Sequence, residues 1–281
     1  MKTFLKLAGR FIRRHWVLAV FFIIVIGLIM TPYKLERMFV YYPTSHIRAD
    51  PGALGLAYQD LRLVTADNVT IHGWFIPHEG ADGTILVFHG NAGNIGDRLS
   101  LIDLLHDLGV NVLIISYRGY GKSEGAPFEA GLYRDARAAY DWWAHNRQPL
   151  GEKLIIMGES LGGAVAVNLA ADVSPAGIIL QSTFSSGWDM AKTMMPLGLL
   201  QPLLNIRFDS AAKIGGIDGP KLFIHGDRDN IVPLRLGRKL YELALPPKYF
   251  YLVPQAGHND LMYVAGDRYF LRLKEFLATI E

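Results

Sequence analysis

The chain has 281 residues, with 28 Lys and Arg against 26 Asp and Glu, 9 His and no Cys. That length suits one large domain or two small ones, and a chain 51% hydrophobic and 19% charged is too apolar to be disordered. The missing cysteines exclude a disulfide framework, a zinc–thiolate site and cysteine catalysis.

The formal charge of +2 is unevenly placed. Lys2, Lys6, Arg10, Arg13 and Arg14 all precede residue 16, which leaves −3 over residues 16–281. The body therefore has no basic footprint for nucleic acid. Next comes an uncharged run, Trp16 to Tyr33. As a helix it spans about 27 Å, close to a hydrocarbon core of about 30 Å. The basic residues before it predict an uncleaved transmembrane anchor over 16–33, a cytoplasmic tail over 1–15, and an extracytoplasmic remainder, periplasmic or lumenal. A cleaved signal peptide is the rival, but Met30-Thr31-Pro32-Tyr33 offers no small-residue cleavage pair.

Residues 34–59 read as an ordered connector. From Asp60 onward strand and helix signals alternate. Leu61–Thr65 and Thr70–Pro77 predict a hairpin. Thr84–Phe88, Val110–Tyr117, Leu154–Met157, Ala176–Gln181, Lys221–Ile224 and Lys248–Val253 predict buried strands. Helices are predicted over Ile95–Leu108, Phe128–Arg147, Leu161–Ala171, Leu234–Leu245 and Asp260–Ile280. The pattern implies an α/β domain over 60–281, with a mostly parallel central sheet and helices on both faces. Residues 183–218 break the rhythm and are rich in Met, Leu and Pro. They are expected to form a small cap overhanging the site, or else a helix packed on the sheet. As a cap they would favour a medium-chain acyl group.

Gly158-Glu159-Ser160-Leu161-Gly162 matches G-x-S-x-G, the nucleophile elbow of α/β-hydrolases. A predicted strand enters it and a helix of small residues leaves it, which is the context a sharp turn at Ser160 needs. A serine hydroxyl needs an adjacent base, and the chain order is Ser, then Asp or Glu, then His. His225 and His258 are the histidines after Ser160. His258 follows a strand, in a loop at the carboxyl end of the sheet where ligand sites form. His225 ends a strand and reads as interior. Between Ser160 and His258, Asp227 and Asp229 both qualify on position as the orienting acid. An oxyanion hole needs two backbone N–H groups. Leu161 supplies one. The loop His89-Gly90-Asn91-Ala92-Gly93-Asn94 supplies the other, from Asn91 or alternatively Ala92. His89 itself reads as a structural loop histidine.

The stretch His225-Gly226-Asp227-Arg228-Asp229-Asn230-Ile231-Val232-Pro233 resembles the H-G-x-x-D-x-x-V-P segment of α/β-hydrolases, and the resemblance assigns the acid to Asp229. Phe39-Val40-Tyr41-Tyr42-Pro43-Thr44, the H-G-N-A-G-N loop and Tyr117–Gly125 (YRGYGKSEG) resemble the membrane-anchored Bem46-like hydrolases. That resemblance implies an α/β-hydrolase fold over residues 60–280 and a Ser160–Asp229–His258 triad acting through an acyl-enzyme.

The expected activity is a carboxylesterase or acyl thioesterase on a small-molecule or lipid-like acyl substrate. The alternatives are a serine aminopeptidase-like peptidase, with Glu159 as the candidate acid for a substrate ammonium, or a catalytically silent binding protein. No metal or cofactor is called for. Gly121-Lys122-Ser123 is not a P-loop, because Ser116 stands where the first glycine belongs.

Overall fold

The computed structural model describes residues 32–193 and 206–280, with isolated positions between 15 and 27. The expected basic tail and transmembrane stretch 16–33 lie for the most part outside the described residues, as do residues 194–205 of the expected cap. Among the described residues no helix is long and apolar enough to cross a membrane.

The described strands are β1 (Tyr42–Pro43), β2 (Gln59–Val64), β3 (Thr70–Ile76), β4 (Gly83–Phe88), β5 (Ala92–Gly93), β6 (Asn111–Ser116), β7 (Lys153–Glu159), β8 (Gly177–Gln181), β9 (Lys221–Gly226) and β10 (Lys248–Val253). The helices are α1 (Pro32–Phe39), α2 (Leu99–Asp107), α3 (Glu129–Asn146), α4 (Leu161–Ala170), α5 (Gly187–Ala191), α6 (Leu234–Leu243), α7 (Leu261–Ala265) and α8 (Asp267–Leu277). Eight strands form one sheet in the order β10-β9-β8-β7-β4-β6-β3-β2. Only β3 runs against the others, pairing antiparallel with both β2 and β6. The expected hairpin and mostly parallel sheet are both present.

β4 shows why the strands read as unbroken apolar runs. Ile85 and Val87 belong to the cluster that packs Ile102 and Leu105 of α2 and Leu273 and Phe276 of α8. Leu86 and Phe88 point the other way, into the cluster with Leu132 of α3 and Val165 of α4. Both faces are covered, so the inner strands β4, β6, β8 and β9 are buried along their whole length, whereas the edge strand β2 alternates between exposed and buried positions. A side chain of this size contributes about 1.5–3 kcal/mol when fully buried.

Two details depart from the sequence reading. The helix expected over Ile95–Leu108 opens as a 3-10 turn, Ile95–Arg98, because Asn94 and Asp97 form a capping box around it. The single helix expected over Asp260–Ile280 is divided into α7 and α8 at Gly266, whose φ of 53° and ψ of −136° suit glycine and end α7. The Y-R-G-Y-G-K-S-E-G segment is a structural corner. Buried Arg118 is held by Asp135 Oδ1 at 2.9 Å and by both oxygens of Asp67. Ser123 Oγ donates to Ser116 O at 2.7 Å.

The segment before β2 does more than span a gap. β1 pairs in parallel with β5, Tyr42 opposite Ala92 and Pro43 opposite Gly93. Two-residue strands leave no periodicity to read, so this second sheet has no signature in the sequence.

Candidate active site

Strand β7 ends at Glu159 and α4 starts at Leu161, leaving Ser160 alone at the turn. Its φ of 52° and ψ of −115° are strained for a residue with a side chain. Three glycines make the turn fit. A Cβ at Gly158 would lie 2.3 Å from Gly162 O, one at Gly162 would lie 2.0 Å from Phe88 O, and one at Gly163 would lie 2.2 Å from Thr183 Oγ1. Ser160 N–H donates to Gln181 O at 2.8 Å, and Thr183 Oγ1 donates to Ser160 O at 2.8 Å. The serine is thus held from the neighbouring strand end.

Ser160, His258 and Asp229, separated by up to 98 positions, meet at the carboxyl edge of the sheet. His258 Nε2 is 3.1 Å from Ser160 Oγ, and His258 Nδ1 is 2.7 Å from Asp229 Oδ2. Asp229 is buried, and its Oδ1 accepts the N–H groups of Ile231 (2.9 Å) and Val232 (2.8 Å). Burial pushes its pKa up, but the hydrogen bond and charge of His258, with the Val232 and Ile231 donors, outweigh that and leave it lowered. A carboxylate so held fixes the imidazole with Nε2 toward the hydroxyl, an arrangement able to activate a serine. Asp227, the rival acid, is elsewhere: its Oδ1 accepts Gln255 N–H at 2.6 Å and braces the His258 loop. His225 is buried and donates through Nε2 to Val232 O at 2.9 Å, so it is an interior residue as expected.

Asn91 and Ser160 line the same cavity, of about 770 Å³. Among the described residues no backbone carbonyl accepts the N–H of Asn91 or of Leu161. The peptide carrying the Asn91 N–H is fixed by His89, whose Nδ1 donates to Gly90 O at 2.7 Å. His89 is fully buried; burial first, and the charge of Arg98 second, push its pKa down to about 3. Ala92 also lines the cavity, but it lies in β5.

The cavity wall also holds Arg98 and Gln181, which no motif announced, beside Glu159. Glu159 accepts Arg98 Nε at 2.9 Å and Gln181 Nε2 at 3.0 Å, and Gln181 in turn accepts the buried Tyr269 hydroxyl. The acid considered for a substrate ammonium is therefore already paired. Gln181 could have been flagged as the last residue of a strand at the carboxyl edge; Arg98 carries no such signal. No described residue of 183–218 lines this cavity, and the apolar wall comes from Leu101, Ile231, Leu261 and Met262.

A serine at a strand–turn–helix elbow on a mostly parallel sheet is the arrangement of the α/β-hydrolase class. The family model described as serine aminopeptidase, S33, matches residues 79–212. The chain is 35% identical over 262 residues to protein bem46 of Schizosaccharomyces pombe, covering 88% of this chain and 87% of that protein. It is 34% identical over 248 residues to the alpha/beta hydrolase domain-containing protein WAV2 of Arabidopsis thaliana, covering 81% and 80%. The esterase Pf2001 of Pyrococcus furiosus superimposes with a TM-score of 0.73 at 23% identity, covering 86% of this chain and 99% of that one. The chain belongs to the Bem46-like α/β-hydrolases.

The state of His89 has a measurable consequence. It stays neutral in the folded protein down to about pH 3, whereas in the unfolded chain it takes a proton near its ordinary value of 6.5. The unfolded chain then binds the extra proton, so stability is expected to fall as the pH drops from 6.5 towards 3. Urea midpoints measured at pH 7 and pH 4 should separate less in His89→Asn than in the parent; equal separations would show that His89 does not carry this loss.

Proposed function

We propose that this chain is a membrane-anchored serine hydrolase that cleaves a carboxylic ester or thioester through an acyl-enzyme. One observation carries the reading: the hydrogen-bonded sequence Ser160 Oγ, His258, Asp229, placed at a strained strand–helix turn. In this mechanism His258 Nε2 takes the Ser160 proton as Oγ attacks the acyl carbon. Asp229 holds Nδ1–H and stabilises the imidazolium. The N–H groups of Asn91 and Leu161 receive the oxyanion. Collapse of the tetrahedral intermediate expels the alcohol or thiol, which takes its proton from His258. Water, deprotonated by the same imidazole, then releases the acid and restores Ser160.

Ser160→Ala should lower kcat by about 10⁶-fold, as losing a triad nucleophile can. His258→Ala should cost a comparable factor and Asp229→Asn less. Labelling of each purified variant by a fluorophosphonate probe checks this. A covalent adduct on Ser160→Ala would remove the serine from its role.

Leu101, Ile231, Leu261 and Met262 can receive a short apolar group beside Ser160. Two buried methylenes at about 0.8 kcal/mol each should raise kcat/KM by about 10-fold from the acetyl to the butyryl p-nitrophenyl ester. A flat profile would end the lipid-like reading and favour small polar esters.

The topology of the proposal rests on the charge asymmetry around Trp16–Tyr33, with the N-terminus in the cytoplasm and the catalytic domain outside it. Alkaline phosphatase fused after residue 281 should be active in a bacterial host. An inactive fusion paired with an active cytoplasmic reporter would reverse this orientation.

A further inference from the structure

The oxyanion loop is fixed from two sides, by the hydrolase domain and by the segment that precedes it. Around Asn91 two consecutive peptide planes are held: the one that carries its N–H, and the one that follows, which anchors the residue in place. The first is held by His89, through Gly90 O. Because a trans peptide is planar, fixing that carbonyl fixes the Asn91 N–H on the opposite side. The second plane is held from outside the loop. Asn91 O accepts Tyr42 N–H at 2.9 Å and the Tyr120 hydroxyl at 2.7 Å. The Asn91 side chain donates to Val40 O at 2.8 Å.

The far end of the loop is tied to the same segment. Thr44 N–H donates to Gly93 O at 3.2 Å. Asn94 Nδ2 reaches Thr44 O at 3.1 Å, Thr44 Oγ1 at 2.9 Å and His46 O at 2.9 Å, while its Oδ1 accepts Gly96 N–H at 2.9 Å. Thr44 O also accepts Gly121 N–H at 2.9 Å, which joins the segment to the corner bearing Tyr120. Asn94 is buried, and so is most of Tyr120. A loop with two glycines would otherwise have freedom at the point where a donor must be aimed.

We propose that residues 40–46, clamped by Asn94 and Tyr120, form a strap that aims the Asn91 N–H, so that the connector is a working part of the oxyanion hole. Asn94 and Tyr120 are positioning residues that act through Asn91. The proposal rests on the serine-hydrolase reading. It adds to that reading that the segment between the N-terminal apolar run and the hydrolase domain sets the rate of the chemical step.

Two variants of the full chain test it, with active sites counted by fluorophosphonate titration. Tyr120→Phe removes a single hydroxyl donor. Asn94→Asp keeps the acceptor for Gly96 but replaces the donor facing three strap oxygens. Per titrated site, kcat for p-nitrophenyl butyrate should fall about 10-fold in Tyr120→Phe, less than the 10²–10³ that losing an oxyanion donor outright costs. In Asn94→Asp it should fall about 10²-fold, as a misplaced catalytic group can cost. KM should stay within about twofold in both, as for an interaction made in the transition state. Affinity for a trifluoromethyl ketone, which forms a tetrahedral oxyanion on the serine, should fall in step with kcat. A merely structural strap would lower Tm and the number of titrated sites but leave kcat per site and ketone affinity unchanged, and that result in Tyr120→Phe overturns the proposal. Full hydrolysis by Ser160→Ala would instead overturn the serine-hydrolase reading, and the strap's role with it.

Discussion

The approach of α4 to β4 sets the rest of the site. At Gly162 a Cβ would sit 2.0 Å from Phe88 O and 2.6 Å from His89 O, so the helix can lie where it does only because that position has no side chain. The same closeness draws the first turn of α4 against the end of β4, just where the loop bearing Asn91 begins. It brings the Leu161 N–H and the Asn91 loop to one side of Ser160. Thr183, packed against Gly163, closes the other side and donates to Ser160 O. A methyl group at Gly162 would move the helix, and moving the helix would separate the two N–H groups. Overpacking of this kind costs about 1–3 kcal/mol in a well-packed core; here it would also cost the alignment.

Polar contacts then join the parts that packing brings together. Arg98 Nη2 reaches Ala92 O of the loop bearing Asn91 at 3.4 Å, while its Nε holds Glu159, the residue before the serine. Gln181 carries the link on to β8 and Tyr269 carries it to α8. Among the described residues, three of the five non-glycine positions with positive φ fall on the same edge, the others being Asn68 and Phe208. Ser160, Ser182 and Gln255 have φ of 52°, 46° and 70°, and they follow the ends of β7, β8 and β10. Strain of this sort survives where the surroundings over-determine the conformation.

Much of this was legible in the sequence because the demands are local. A glycine on each side of Ser160, an apolar run before it and small residues after it describe the elbow in a single stretch. His258 followed from chain order and a strand end. Asp229 did not follow from position alone, since Asp227 sits as well in the turn; the difference lies in where each carboxylate points, to His258 Nδ1 or to Gln255 N–H. The β1–β5 pairing joins segments about 50 positions apart through backbone atoms, which carry no side-chain signature. Arg98, Glu159, Gln181 and Tyr269 likewise come from separate elements, and only the fold makes them neighbours. The break at Gly266 was visible as a glycine but not as a turn, since an isolated glycine inside a helical pattern is often tolerated.

The sheet order has a thermal consequence. Ser160 stands at the end of β7, which is flanked by β4 and β8 near the middle of the sheet. His258 follows β10, an edge strand paired to β9 alone and only half-buried along most of its length. Its loop is retained by Asp227 on Gln255 N–H, Asp260 on Gly257 N–H at 2.7 Å and Arg228 N–H on Ala256 O at 2.9 Å, and the His258 ring itself by Asp229 Oδ2 at 2.7 Å. Edge elements open with less free energy than central strands. Warming would therefore release the imidazole while the serine stays embedded in an intact sheet. Heating would begin with a parting of His258 from Ser160, at temperatures where the core amides remain protected from exchange.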